Sequence, residues 1–322
     1  MENLRLGDST EEGTQPIRVL NSSIEEDLNQ NIERFRDLLI LAKEQEKRQP
    51  LGEEDPKIVF KCDERKVEDA ARILPNNEII LNESFLSFLW CICFSTIVEF
   101  NELICKPRLK IESDPELIKQ GELLYKYGMS LLSRFTDWKL MTPNPEFHSK
   151  ELSKNINVAS DTYLDAVWFI VLHEYAHVLY GHYDDAFTGV GKSSEELIED
   201  EIEADGFAIR YCKMVLDGLS GQAKEDRLSG YILGLLALML SESDLSTPNY
   251  PHIHVRVIAV LRSLSWSETN LAWGICACVF KKWAVEYGHS ELQVRTHYRS
   301  DKEYCMHLGL MLQSTIKPET ST

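Results

Sequence analysis

The segment Ile170-Val-Leu-His-Glu-Tyr-Ala-His177 constrains this chain more than any other. Trp168, Phe169, Ile170, Val171, Leu172, Val178, Leu179 and Tyr180 make its helix apolar almost all the way round, which is the pattern of a buried helix. Two histidines and a glutamate lie inside that run, and polar groups taken out of water need partners. His173 and His177 are four residues apart, one turn on the same helix face, so both imidazoles can reach one cation. Glu174, directly after the first histidine, is placed to take a proton from a water on an open coordination position. The H-E-x-x-H pattern points to a zinc hydrolase.

One helix cannot close a tetrahedral site and still leave room for water, so a third ligand is expected on another element. Between Ser193 and Asp205 stand seven acids and no base. With Ile198, Ile202, Ala208, Ile209 and Cys212 taken as the buried stripe, Glu201 and Asp205 share that stripe, while Glu199, Glu203 and Arg210 point away. Glu201 is therefore assigned as third ligand. Asp205, one turn later, is placed to accept the second N–H of a ligand histidine. Tyr250, His252, His254 and Arg256 follow Pro248 and are candidates for contacting substrate or an oxyanion; a surface turn before a helix accounts for them equally well. His182 reads as a helix-end residue or one standing behind the metal ligands, the helix end being favoured over contact with the site.

The chain is 322 residues long, with 34 Lys and Arg against 52 Asp and Glu, a formal charge of −18 and a pI near 5.0. That charge opposes a grip on nucleic acid or anionic lipid. Met1–Gly13 is acidic and lacks the basic and apolar regions of a secretory signal. The longest uncharged apolar run, Ser84–Val98, has fifteen residues, short of the roughly 20 that cross a bilayer. No membrane span is expected. Eight cysteines, none paired as C-x-x-C, fit reduced thiols of a cytoplasmic protein.

Periodicity predicts a mainly α fold of the α+β class, with a small β element in the N-terminal half. A helix runs from about Ile24 to near Pro50, strands cover Lys57–Lys61 and Glu78–Leu81, and further helices start at Glu83 and Pro115. Five helices follow: Asp161–Tyr183, Ser194–Leu216, Arg227–Glu242, Pro251–Leu264 and Asn270–Tyr287. The expected organisation is an acidic disordered tail (1–16), an N-terminal helical and β subdomain (17–142), a loop (143–160), a helical metallopeptidase subdomain (161–312) and a frayed end (313–322).

The order His173-Glu174-x-x-His177, Gly181-His182 and Glu201-Ile-Glu-Ala-Asp205 resembles the gluzincin metallopeptidases. In their prenyl-protein (CAAX) protease and HtpX branch the second motif reads Glu-x-x-Ala-Asp. The resemblance implies that Glu201 is a zinc ligand, as helical phase also suggests, within a zincin-like helical core. Asn249-Tyr-Pro-His-Ile-His-Val-Arg256 is similar to that family's later His-Pro…Arg segment, with Tyr250 where a histidine is expected. Without membrane helices, the layout is similar to the Lit-type phage-exclusion peptidases.

The expectation is a zinc-dependent endopeptidase acting on a protein or peptide substrate, under a regulatory protein or peptide. The alternative is a catalytically silent, zinc-stabilised protein that binds a partner.

Overall fold

The computed structural model describes residues 13–24, 26, 57–61, 65–68, 70–74, 78–140, 142–182, 191–245, 251–289 and 298–316. The helix expected from Ile24 to near Pro50 falls largely outside them, as do the acidic tail to residue 12 and residues 317–322; residues 16–24 are helical.

Strand β3 (Glu78–Asn82) alternates in burial, with Ile79 and Leu81 turned fully inward. It pairs in parallel with β1 (Lys57–Lys61) and antiparallel with β2 (Ala71–Ile73), in the order β1-β3-β2. Three residues are too short for a period-two pattern, which is why β2 is absent from the sequence expectation. β3 leads without a break into helix α1 (Glu83–Glu99), buried at every position from Glu83 to Val98. The helical run Glu83–Arg108 is long and apolar enough to cross a membrane by composition, but most of it lies inside the fold as a core helix.

Helix α2 (Pro115–Leu131) begins with Asp114 accepting from the N–H groups of Glu116 and Leu117, and with proline in its first turn, an arrangement that satisfies otherwise orphaned donors. Helix α3 (Ser153–Tyr180) carries the H-E-x-x-H segment. It starts eight residues earlier than expected, because Ile156 and Ala159 continue the buried stripe of Thr162 and Tyr163 back into a polar stretch expected to be the last part of a loop. Helix α4 (Ser194–Asp217) opens on a reciprocal capping box between Ser193 and Glu196.

Helices α5 (Gly221–Ser241), α6 (Ile253–Leu264) and α7 (Leu271–Glu286) complete the expected set. A further helix, α8 (Asp301–Thr315), extends into the end expected to be frayed; its buried positions are only Cys305, Leu308, Gly309 and Leu312. One set of packed residues runs from Ile17 to Leu312 and includes both expected subdomains.

The closest helix contact sets the position of the motif. A Cβ on Gly230 of α5 would stand 2.3 Å from Cβ of Asp165 on α3, and one on Gly234 would stand 2.8 Å from the carbonyl oxygen of Ala166. Glycines four apart on α5 let the helices touch backbone to backbone, and Arg227 Nη1 meets Asp165 Oδ1 at 2.9 Å beside that contact. The substitution Gly234→Val should cost about 1–3 kcal/mol, the usual range for overpacking, and lower the denaturant midpoint; an unchanged midpoint would remove this contact as the seat of α3.

Candidate functional site

Three helices bring the polar cluster together. The imidazoles of His173 and His177 come from α3, the carboxylates of Glu201 and Asp205 from α4, and the guanidinium of Arg256 from α6. Nε2 of His173 lies 3.0 Å from Nε2 of His177. Glu201 Oε2 stands 3.3 Å from the first nitrogen and Oε1 3.4 Å from the second. Three bonds of 2.0–2.1 Å to one tetrahedral ion would separate their ligand atoms by about 3.3 Å. His173, His177 and Glu201 therefore form a group able to hold a metal ion. The donor set of two imidazoles and one carboxylate suits a transition-metal ion better than calcium or magnesium.

The surrounding contacts hold this arrangement. Asp205 Oδ1 lies 3.1 Å from His173 Nδ1, off the line of a good hydrogen bond. Arg256 donates from Nε and Nη2 to the two Asp205 oxygens, at 2.8 and 2.9 Å, and Nη1 reaches Glu201 Oε2 at 2.9 Å. The guanidinium thus joins both inward-facing acids in a fixed fork.

The stripe on α4 differs from the sequence reading. Ile202 is 58% exposed; the buried line comprises Glu201, Ala204, Asp205, Ala208 and Cys212, with Phe207 and Tyr211 beside it. Glu201 and Asp205 face inward as expected, although of the five residues used to set the phase only Ala208 and Cys212 are buried, Ile198 and Ile209 being half-buried and Ile202 exposed. Glu199 and Arg210 are exposed. Glu203 instead turns to His182, with Oε2 at 3.0 Å from Nε2. His182 in turn stands 2.9 Å from His177, Nδ1 to Nδ1, so it belongs to the cluster. The signal that places it there was present in sequence as a glycine immediately before it.

The cluster floors a cleft of about 450 Å³, with Glu174 also in its lining. Phe169 and Ile170 of α3, Leu235 and Leu238 of α5, and Ala70 and Ala71 at the start of β2 supply apolar wall. Of the four candidates around Pro251, Arg256 lines the cleft. His252 meets the carbonyl of Leu245 at 2.8 Å, and His254, buried, faces Oε1 of Gln313 on α8 at 2.8 Å. Burial lowers the His254 pKa to about 4. Tyr250 lies outside the described residues. The Cys91, Cys93 and Cys276 thiols sit in the core, where burial pushes their pKa values up.

Burial alone would lower the His173 pKa; the Asp205 and Glu201 carboxylates outweigh it and hold it at about 10. Burial likewise opposes ionisation of Asp205, but Arg256 and His173 bring it down to about 2, and the two histidines with Arg256 hold Glu201 below the usual carboxylate range. Without a metal, a proton on His173 joins the Arg256 guanidinium in balancing the two acids. The raised pKa of His173 contributes stability fully present below about pH 6.5 and lost as pH rises through about 10; the depressed acids contribute stability present above about pH 4.5 and lost on further acidification. Metal-free protein should therefore lose thermal stability between pH 7 and 10, and His173→Gln should flatten that slope. Calorimetry on chelator-treated protein checks both, and a flat profile for the parent would contradict this charge assignment.

No curated protein and no solved structure matches the chain. Residues 79–276 match the family model described as Peptidase U49, the Lit-type peptidase family. The match begins in β3, ends within α7 and includes the two histidines, both inward-facing acids and the arginine. As it covers more than half of the sequence, the chain belongs to the Peptidase U49 family.

Proposed function

We propose that the chain is a zinc-dependent endopeptidase, with His173, His177 and Glu201 holding the metal and Glu174 acting as general base. The observation that carries this reading is the convergence of two Nε2 atoms and one carboxylate at the floor of a cleft that Glu174 also lines. A glutamate as third ligand makes the chain a gluzincin. A zinc ion held there supplies Lewis acidity to a water and to a carbonyl oxygen.

The chain's own groups do the rest. Glu174 accepts the proton of the attacking water and passes it to the departing amine, so one carboxylate serves as base and then as acid. Asp205 orients His173, and Arg256 fixes Asp205 and Glu201 while balancing their charge. All three guanidinium contacts are made to these two acids, so its role is to position ligands. The apolar walls of the cleft suit the side chains of an extended peptide. A cytoplasmic setting, a protein substrate and control by a regulatory protein or peptide belong to the same reading.

The alternative, a silent protein stabilised by zinc, calls for a closed site with a fourth protein ligand. Among the described residues the group has three members and borders the cleft. Purified protein should contain one zinc per chain by elemental analysis, with His173→Ala and Glu201→Ala each losing it. Glu174→Gln should keep the metal and lose at least about 100-fold in turnover of a cleaved peptide. Full turnover by Glu174→Gln would overturn the assignment of the base, and a metal-free parent after reconstitution would overturn the zinc site.

A further inference from the structure

Helix α3 ends in a way that adds a residue to the site. Gly181 adopts φ 72° and ψ 28°, and the N–H groups of Gly181 and His182 turn back to the carbonyls of Val178 and His177, at 3.3 and 3.0 Å. This pair of bonds is the Schellman closure, which needs a left-handed residue and so favours glycine. It folds the residue after the glycine back over the residue five positions earlier, and here both are histidines. The imidazoles meet edge to face at 73°, Nδ1 to Nδ1 at 2.9 Å. At its other end, His182 Nε2 lies 3.0 Å from Glu203 Oε2 and 3.5 Å from Asp200 Oδ1. Lys192 ties Asp200 to the His182 carbonyl, at 2.8 and 2.9 Å. The His182 side chain is only 6% exposed.

The donors and acceptors can be arranged in one consistent order. A carboxylate only accepts, so His182 donates from Nε2 to Glu203. A neutral His182 then presents Nδ1 as an acceptor, and His177 donates from its own Nδ1. That leaves Nε2 of His177 without a proton, facing His173 and Glu201. We propose that His182 and Glu203 are positioning residues that fix the tautomer and ring orientation of His177 for metal binding. The proposal rests on the metal-site reading above. It gives both ligand histidines a carboxylate behind them, Asp205 beside His173 and Glu203 through His182, so that neither imidazole must be reoriented when the ion arrives.

The test uses Zn²⁺ itself, titrated into the full chain against a competing chelator. His182→Phe should weaken zinc binding 10–100-fold, the range found when such outer partners are removed. His182→Gln, whose amide oxygen still accepts from His177, should recover most of that loss. Glu203→Ala should weaken binding several-fold, and His182→Phe with Glu203→Ala should be no worse than His182→Phe alone, because Glu203 acts only through His182. In metal-free protein, ¹⁵N NMR should find His177 protonated at Nδ1, with both tautomers present in His182→Phe.

Parent affinity and a parent tautomer in His182→Phe would overturn the proposal, as would losses that simply add in the double variant. Should His182→Phe fail to fold, Glu203→Ala decides the matter, since its side chain is 34% exposed and its removal leaves the core intact; unchanged affinity and tautomer there would overturn the proposal. Zinc bound equally by parent and variants would leave the metal site standing and remove only the role of this pair. A parent chain that takes up no zinc would remove the site itself.

Discussion

Asp205 and Glu201 are carboxylates taken out of water on the buried side of α4, and the rest of the site is arranged around that cost. Arg256 on α6 answers both, and His173 on α3 answers them from the other side. Removing any one of these partners would strand a charge in the interior, which is far more damaging than never having buried the group. The cluster therefore does two things. It fastens α3, α4 and α6 to one another, and it holds two imidazoles and a carboxylate in the geometry that one cation would occupy. Apolar residues at these positions would serve stability about as well, so stability alone does not account for the buried charges.

The helix that carries the motif is held from behind by a different device. Gly230 and Gly234 permit α5 to approach the backbone of α3 near Asp165 and Ala166, and α1 contributes a helix buried on all sides. These contacts are close, and they tolerate little change in volume. His173 and His177 thus project from a helix whose placement is set by packing. The cleft above them receives its remaining walls from α5 and from the start of β2. The small sheet is accordingly part of the candidate site and not a separate module.

Much of this was legible in the residues, though not always for the right reason. The i, i+4 histidines in an apolar run required partners, and the acidic helix offered them. Glu201 and Asp205 emerged from a stripe that included Ile202, which is exposed. The inference survived because Ala208 and Cys212, the two members of that stripe that are buried, carry the same phase. His182 reads as a helix end or a residue behind the ligands, and it is both, because the geometry of that end folds it back onto His177. His254 has the composition of a site residue and instead pairs with Gln313, because one helical position decides whether a side chain on α6 faces α4 or α8. Helix α8 buries Cys305, Leu308, Gly309 and Leu312 at helical spacing, but apolar residues off that stripe, Met306, Leu310 and Met311, blur it in the sequence, and β2 is too short to show a period.

The sequence by itself determined the elements and the chemistry carried by them: helical period, caps, the paired histidines, and the excess of acids over bases. These are local properties, set within a turn or two of backbone. Only the tertiary structure decided that Arg256 serves the two inward-facing acids, that His182 and Glu203 stand behind His177, and that a cleft with both polar and apolar walls opens beside Glu174. Those outcomes depend on how α3, α4, α5 and α6 rotate and approach one another, and rotation is fixed by close packing between residues distant in the chain. A change of one position in helical phase moves a side chain by about 100°, enough to exchange a ligand for a solvated residue.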